Sequence, residues 1–310
     1  MKKTISFVVP VYNEAENLRE FYKRLTEVMA GIEYDYQLLF VDDGSNDGSV
    51  LILKELTRND ERVQAFLLSR NFGHQMALTC GLDNACGDAV ITMDGDLQHP
   101  PELVPELISL WEAGSEIVQT VRRDTEDASF FKKLTSRLYY KLINKMSKVS
   151  ITPGGSDFRL MDRLAVDALN LYGERARFIR GLVNNLGYKV AFVEFVAPPR
   201  FAGSSKFNLR KMLHFALDGI TAFSKVPLRW AFYIGLLCGL GSMLVLFHVI
   251  YIKLITDDAV PGWATLSASM LFLGGVQLVG LGIIGEYVGR VFEEVKQRPL
   301  YLVKQHLKKE

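Results

Sequence analysis

Asp88-Ala89-Val90-Ile91-Thr92-Met93 runs straight into Asp94-Gly95-Asp96-Leu97-Gln98-His99-Pro100. A short apolar run bounded by turn residues reads as a buried strand. This one ends in two carboxylates one residue apart, with an amide oxygen two positions further on. Buried strands of this kind belong to mostly parallel sheets, where ligands sit at the carboxyl ends of the strands. Oxygen donors there suit Mg²⁺ or Mn²⁺, which bind through one or two carboxylates completed by substrate phosphates. Carboxylates at a strand end are often merely solvated. The buried strand before them, and Gln98 and the Pro pair after them, favour a metal and diphosphate site. His99 is the weaker ligand candidate in so oxygen-rich a setting.

Outward from this stretch, strand patterns lie over residues 4–11, 36–41, 63–68 and 116–120 as well as 88–93. Helical patterns fill residues 14–29, 48–57, 74–84 and 101–111 between them. Alternation of this kind predicts an α/β domain with a mostly parallel sheet covered on both faces. Pro10-Val11-Tyr12-Asn13-Glu14 and Asp42-Asp43-Gly44-Ser45 end the first two strands, where an open sheet binds its ligand. Tyr12 can pack on a base there, and a carboxylate can accept from a base N–H or a ribose hydroxyl. The second stretch also has turn and helix-cap chemistry, and both readings can hold together. No Gly-x-Gly-x-x-Gly follows the first strand and there is no Walker A sequence, which disfavours a dinucleotide oxidoreductase or a P-loop enzyme.

The 310 residues are 49% hydrophobic and 23% charged, which excludes a disordered or fibrous chain. Lys plus Arg, 36, nearly balances Asp plus Glu, 35, so net charge gives no reason to expect nucleic acid. Three cysteines without a Cys-x-x-Cys pair exclude a disulfide scaffold or zinc ribbon and point to a reduced, cytosol-facing catalytic region. The N-terminus does not read as a signal peptide, because its apolar run is short and meets Pro10, Asn13 and Glu14. A mean hydropathy of +0.12 is high for this charge content and implies that apolar residues are concentrated somewhere.

They are concentrated late. Residues 231–252 carry no formal charge beyond a possible one on His248, and residues 259–285 carry none. At about 1.5 Å per residue each run crosses roughly 30 Å of hydrocarbon, which predicts two membrane spans. Lys225 and Arg229 precede the pair, Arg290, Lys296 and Arg298 follow it, and the loop between carries Asp257 and Asp258. The positive-inside bias then puts both ends in the cytoplasm. Gly235-x-x-x-Gly239 is a weak signal for close helix approach, and Glu286 is expected to snorkel or pair with Arg290. Residues 206–223 read as a basic amphipathic helix in the membrane interface. After Arg290 an amphipathic segment turns strand-like at residues 300–303.

Pro-Val-Tyr-Asn-Glu, Asp-Asp-Gly-Ser and Asp-Gly-Asp-Leu-Gln-His-Pro-Pro-Glu resemble the family 2 glycosyltransferases of the GT-A fold, and the resemblance covers the whole chain. Ser69-Arg70-Asn71-Phe72-Gly73, Gly155-Ser156-Asp157-Phe158-Arg159-Leu160 and the two spans narrow it to the polyisoprenyl-phosphate glycosyltransferases. The bactoprenol (undecaprenyl-phosphate) glucosyltransferases are the nearer likeness and the dolichol-phosphate mannose synthases the more distant. The resemblance implies inverting transfer of one sugar, glucose by preference, from a UDP-sugar to undecaprenyl or another polyisoprenyl phosphate. It places that reaction at the cytoplasmic face of the inner or plasma membrane, in a homotetramer. It implies that Pro10, Tyr12, Glu14, Asp42, Asp43, Asp94, Gly95 and Asp96 hold the nucleotide-sugar, and that Asp94, Asp96 and Gln98 hold Mg²⁺ or Mn²⁺. Asp96, Asp157, Arg200 and Lys206 become the catalytic set, and Arg122, Lys132, Ser136 and Arg159 the contacts to the lipid phosphate. Lys132 stands where the dolichol-phosphate enzymes often carry Arg, and Asp157 is open to positioning, general-base and structural roles.

The expected organisation is a GT-A domain over residues 1–200, an interfacial helix over 201–227, a span hairpin over 228–289 and a cytoplasmic tail over 290–310. Three rival readings stand beside it. One is the same transfer with another sugar: N-acetylglucosamine, galactose, mannose or an aminoarabinose derivative. Another is a processive polysaccharide synthase, disfavoured by two spans and by the missing Gln-x-x-Arg-Trp motif, of which Pro227-Leu228-Arg229-Trp230 is a partial echo. The last is a non-catalytic nucleotide-binding membrane scaffold.

Overall fold

In a computed structural model, residues 2–123, 154–175, 177–196, 198, 226–255 and 262–309 are described. The chain divides into two compact units. The first is built on β1 (Thr4–Val11), α1 (Ala15–Ala30), β2 (Asp35–Asp42), α2 (Ser49–Asn59), β3 (Val63–Leu68), α3 (His74–Asn84), β4 (Ala89–Thr92) and α4 (Val104–Glu112). It continues with β5 (Ile117–Arg123), β6 (Gly155–Asp162), α5 (Arg163–Asn170), α6 (Ile179–Asn185), β7 (Val190–Val196) and, near the C-terminus, β8 (Val303–Leu307).

The eight strands form one sheet in the order β7-β5-β6-β4-β1-β2-β3-β8. β1 is buried along nearly all its length, as its unbroken apolar sequence requires of a strand covered on both faces. It pairs in parallel with β2 on one side and with β4 on the other, and β2 pairs in parallel with β3. The order therefore reverses at β1 and β4, and that crevice is where an open α/β sheet takes its ligand. α1 places Leu18, Phe21, Leu25 and Met29 against the sheet, a helical spacing that buries one stripe. On burial each such side chain contributes about 1.5–3 kcal/mol.

The sheet is mostly parallel, as the sequence predicts, with two antiparallel strands. β6 lies antiparallel between β4 and β5, and β8 lies antiparallel on β3. Neither alternates cleanly between apolar and polar residues. β6 buries Ser156, Asp157 and Arg159, and β8 is an exposed edge strand. The last strand is held by Ser69 N–H donating to Leu302 O (2.9 Å), by Tyr301 Oη donating to Asp83 Oδ2 (2.8 Å) and by the His306 ring stacked on Phe66. Residues 298–309 thus belong to the first unit rather than to a separate tail.

The second unit holds α7 (Val226–Ile255) and α8 (Trp263–Lys296), which pack against each other. Their windows Leu228–Val245 and Phe272–Lys296 are apolar and long enough to cross a membrane, and neither is buried inside the molecule. An apolar surface of this extent is foreign to a soluble monomer. α8 runs past the expected limit at residue 289, because helical hydrogen bonding continues through charged residues that end an apolar run. Arg290 Nε meets Glu286 Oε1 at 3.2 Å, the expected pair. No described atom lies within 4 Å of a Cβ built on Gly235 or Gly239, so this glycine pair does not set the approach of the two helices. The expected interfacial helix over residues 206–223 lies outside the described residues.

One contact fixes the seat of α3. A Cβ on Gly81 would stand 2.1 Å from Val8 Cγ1 on the central strand. Gly81→Ala gains about 1 kcal/mol of helix propensity and incurs about 1–3 kcal/mol of overpacking. The variant is expected to unfold a few degrees below the parent in a thermal melt. An unchanged or raised Tm would show that α3 does not lie this close to β1.

Candidate active site

Register brings the scattered motifs to one edge. Val11 pairs with Asp42, and Met93 N–H donates to Val8 O, so the ends of β1, β2 and β4 are neighbours. β6 starts where β4 stops: Thr92 faces Arg159, and Thr92 Oγ1 donates to Asp157 O (2.5 Å). Antiparallel pairing is what sets Asp157 beside the strand that delivers Asp94.

On the donor side the loops after β1 and β2 are stitched together. Asn13 N–H donates to Ser45 Oγ, Asn46 N–H to Asn13 Oδ1 and Glu14 N–H to Ser49 Oγ. Asn13 takes a positive φ of 55° in this turn, and Tyr12 stands 37% exposed at its mouth. Pro10 and Gly95 are buried against each other at the β1–β4 crevice. Asp42 is buried, its Oδ2 accepts from Ser45 N–H (3.2 Å), and its Oδ1 is a buried atom without a hydrogen-bond partner among the described residues. Burial pushes the Asp42 carboxyl above its ordinary pKa. An unanswered buried acceptor in a ligand crevice suits a donor N–H or hydroxyl.

Asp43 is differently placed from its neighbour. Its oxygens accept the backbone N–H of Phe72 (2.6 Å) and of Gly73 (2.9 Å). Gly44 has a φ of 72°, and a Cβ there would lie 2.7 Å from Arg70 C and 2.8 Å from Asn71 N. The turn after β2 therefore clamps the loop 69–73 that precedes α3.

Asp94 Oδ1 is buried and accepts no hydrogen bond among the described residues, and the His74 imidazole stands 3.6 Å from it. Asp96 Oδ1 accepts from Gln98 N–H (3.1 Å) across Leu97, which is buried at a φ of 61°. A non-glycine residue in that region is strained, and such strain persists where the surroundings over-determine it. Among the described residues no three His, Cys, Asp or Glu side chains gather as a metal cage. The pair Asp94 and Asp96, with no hydrogen bond to Asp94 Oδ1 among the described residues, fits a hard divalent cation whose remaining ligands are phosphate and water. His99 is not part of that set. Asp94 N–H donates to its Nδ1 (2.8 Å), so the ring proton sits on Nε2, which faces Ser156 Oγ (2.7 Å). Both nitrogens are spent on holding the Asp94 backbone to β6.

Asp157 is the hub of the β6 side of the crevice. Its Oδ1 accepts from Arg159 Nη2 (3.0 Å) and Arg180 Nε (2.9 Å), and its Oδ2 from Arg180 Nη2 (2.8 Å). His74 Nε2 stands 3.5 Å from Asp157 Oδ2 and 3.6 Å from Asp94 Oδ1. Burial alone would raise the Asp157 pKa. The Arg180 charge, hydrogen bonds from His74 and Arg180 and the Arg159 charge outweigh it and hold the carboxyl well below its usual range. Burial lowers the His74 pKa less than Asp157 and Asp94 raise it, so the imidazole ends above its ordinary value.

Arg159, expected at a lipid phosphate, lies inside the sheet. Its side chain is 1% exposed and turned to Asp157 and to Ser156 O, because β6 is a central strand with both faces covered. Arg122 is exposed at the end of β5, on the same edge of the sheet, where its N–H donates to Gly154 O. Lys132, Ser136, Arg200 and Lys206 lie outside the described residues. Sequence reading missed His74 and Arg180. The available signals were the polar His74 opening a helix after the Ser69–Gly73 stretch, and the cluster Arg175, Arg177 and Arg180 after the Asp157 motif.

Removing one partner of a buried ion pair costs about 3–5 kcal/mol, since the other charge is left stranded. Asp157→Asn is therefore expected to lower the urea midpoint markedly. Because the folded pKa is depressed, the carboxylate contributes fully above its unfolded value of about 4. That contribution is lost as pH falls below this value, and the variant lacks that acid dependence. A midpoint equal to the parent's at neutral pH would contradict the hub.

Residues 6–169, just over half of the chain, match glycosyl transferase family 2. An uncharacterized glycosyltransferase of Bacillus subtilis is 46% identical over 298 residues, 96% of this chain and 92% of that one. A bactoprenol glucosyl transferase of Shigella phage SfV is 43% identical over 305 residues, 98% and 99% of the two chains. Among solved structures, mannosyl-3-phosphoglycerate synthase from Rubrobacter xylanophilus superposes with a TM-score of 0.49 at 18% identity, covering 71% of this chain and 72% of the other. A sheet that reverses at β1 and β4, an acidic crevice at its carboxyl edge and relatives alike from end to end lead to one assignment: the chain belongs to glycosyl transferase family 2 and is a glycosyltransferase with a GT-A domain.

Proposed function

We propose that this enzyme transfers a single sugar, glucose by preference, from a UDP-sugar to undecaprenyl or another polyisoprenyl phosphate, with inversion. The observation that carries the reading is the likeness to bactoprenol glucosyl transferases along the whole chain, apolar helices included. A lipid acceptor explains why a sugar-nucleotide site is followed by two candidate spans. The basic residues flanking those spans support a reaction on the cytoplasmic face. Assembly as a homotetramer belongs to the same reading.

Tyr12, Glu14 and Asp42 take the nucleoside. Asp94 and Asp96, with Gln98, hold Mg²⁺ or Mn²⁺, which when bound offsets charge on the departing diphosphate. Asp43 serves by fixing the loop that carries His74. Arg200 and Lys206 remain assigned to the diphosphate by their motif, and Arg122, Lys132 and Ser136 to the acceptor. No side chain need remove a proton. The second pKa of a phosphate monoester is about 6, so the acceptor is largely dianionic at cytosolic pH and already nucleophilic. Asp157, held ionised by its cations, is a poor base and a strong anchor. Catalysis then rests on positioning and charge stabilisation.

Protein in detergent, given undecaprenyl phosphate, a divalent metal and a panel of radiolabelled UDP- and GDP-sugars, is expected to move label from UDP-glucose into the organic phase. Transfer from a different nucleotide would change the sugar alone. Hydrolysis without transfer to any lipid phosphate would overturn the acceptor, and binding with neither hydrolysis nor transfer would favour the scaffold. Asp96→Ala is expected to abolish Mn²⁺-dependent UDP binding, and near-parental binding would remove Asp96 from the metal. Asp43→Asn is expected to lower kcat at least tenfold while the donor KM stays within twofold. A donor KM raised tenfold would return Asp43 to the nucleoside.

A further inference from the structure

The Asp157 side chain is 6% exposed, whereas two of the groups that cover it face solvent: His74 at 43% and Arg180 at 37%. A ligand arriving from solvent meets these two before it meets the carboxylate. We propose that Arg180, with His74 beside it, is the seat of the acceptor's phosphate monoester, and that Asp157 acts by aiming Arg180. The proposal rests on the acceptor class given above and adds a binding residue to it.

Three features support it. Contacts run in the order Asp94, His74, Asp157, Arg180, so Arg180 lies one carboxylate beyond the metal side of the site. Its fork is set rather than floppy. Nε and Nη2 both donate to Asp157, which fixes the guanidinium plane before a ligand arrives. A fork held in this way binds phosphate oxygens with little further loss of side-chain freedom. The two covering residues are also tied to each other. Ile179 N–H, adjacent to Arg180, donates to Oε1 of Gln75, adjacent to His74 (3.0 Å). One hydrogen bond thus keeps α6 and the start of α3 in register across the carboxylate.

Phosphoryl oxygens occur on the acceptor and on the donor diphosphate, and kinetics separates the two sources. Arg180→Lys keeps the charge but loses the planar fork, and Gln75→Ala loosens the tie without touching the ligand. With undecaprenyl phosphate in micelles and saturating UDP-sugar, Arg180→Lys is expected to raise the acceptor KM at least tenfold. Gln75→Ala should raise it a few-fold. In both, the donor KM and Mn²⁺-dependent UDP binding should stay within twofold of the parent, which also shows that the variants fold. An unchanged acceptor KM in both variants would overturn the proposal. A donor KM that rises as much as the acceptor KM would place Arg180 on the diphosphate instead. A parent protein that binds UDP yet transfers nothing to undecaprenyl phosphate would overturn the acceptor class itself, an outcome distinct from the other two.

Discussion

A carboxylate taken out of water must be answered by positive charge, and Asp157 is answered by Arg159, Arg180 and His74. Those partners come from β6, α6 and α3, so one ionised group ties three elements to the sheet edge. Arg159 is itself fully buried, and desolvation brings its guanidinium down to about 10. Each buried charge is tolerable only because the other is there. The same cluster makes the carboxylate unreceptive to a proton, and this decides what Asp157 can do in a reaction.

The donor side has its own logic, and its parts are joined to the hub through backbone. The turn after β2 divides its two carboxylates between tasks. Asp42 keeps one oxygen unanswered towards the crevice, while Asp43 is consumed by the loop before α3. Gly44 permits the close passage that makes this possible. His74 begins the helix that follows and stands between Asp94 and Asp157. The turn after β2 is therefore linked to Asp94 and Asp157 through the loop 69–73 and His74.

Much of this was legible in the sequence, and the remainder fails for identifiable reasons. Apolar runs between turn residues located β1 to β5 because strands buried on both faces need an uninterrupted apolar run. Asp94 and Asp96 were legible because they follow such a run directly. β6 was recognised as a motif but not as a strand, since Ser156, Asp157 and Arg159 break the apolar pattern and are stabilised only by tertiary partners. Arg159 shows what strand position adds. An arginine beside an acidic motif suggests a phosphate contact, but strand position, which only pairing reveals, turned it into the interior. His99 is the weaker ligand candidate in sequence, and in the structure its two nitrogens are occupied by Asp94 N–H and Ser156. Arg180 lies far enough along the chain from Asp157 that no local pattern announces their contact.

The central claim is that Asp157 works as an anchor for cations and that the acceptor needs no base. It is tested most directly by the pH dependence of kcat/KM for the acceptor, in the parent and in Asp157→Asn, normalised to the fraction that binds UDP. The account predicts profiles of one shape, rising through the acceptor's second ionisation near about pH 6 and then flat, with the variant lower by a constant factor. Loss of activity in the variant that recovers as pH rises would show that Asp157 takes a proton, and would contradict it.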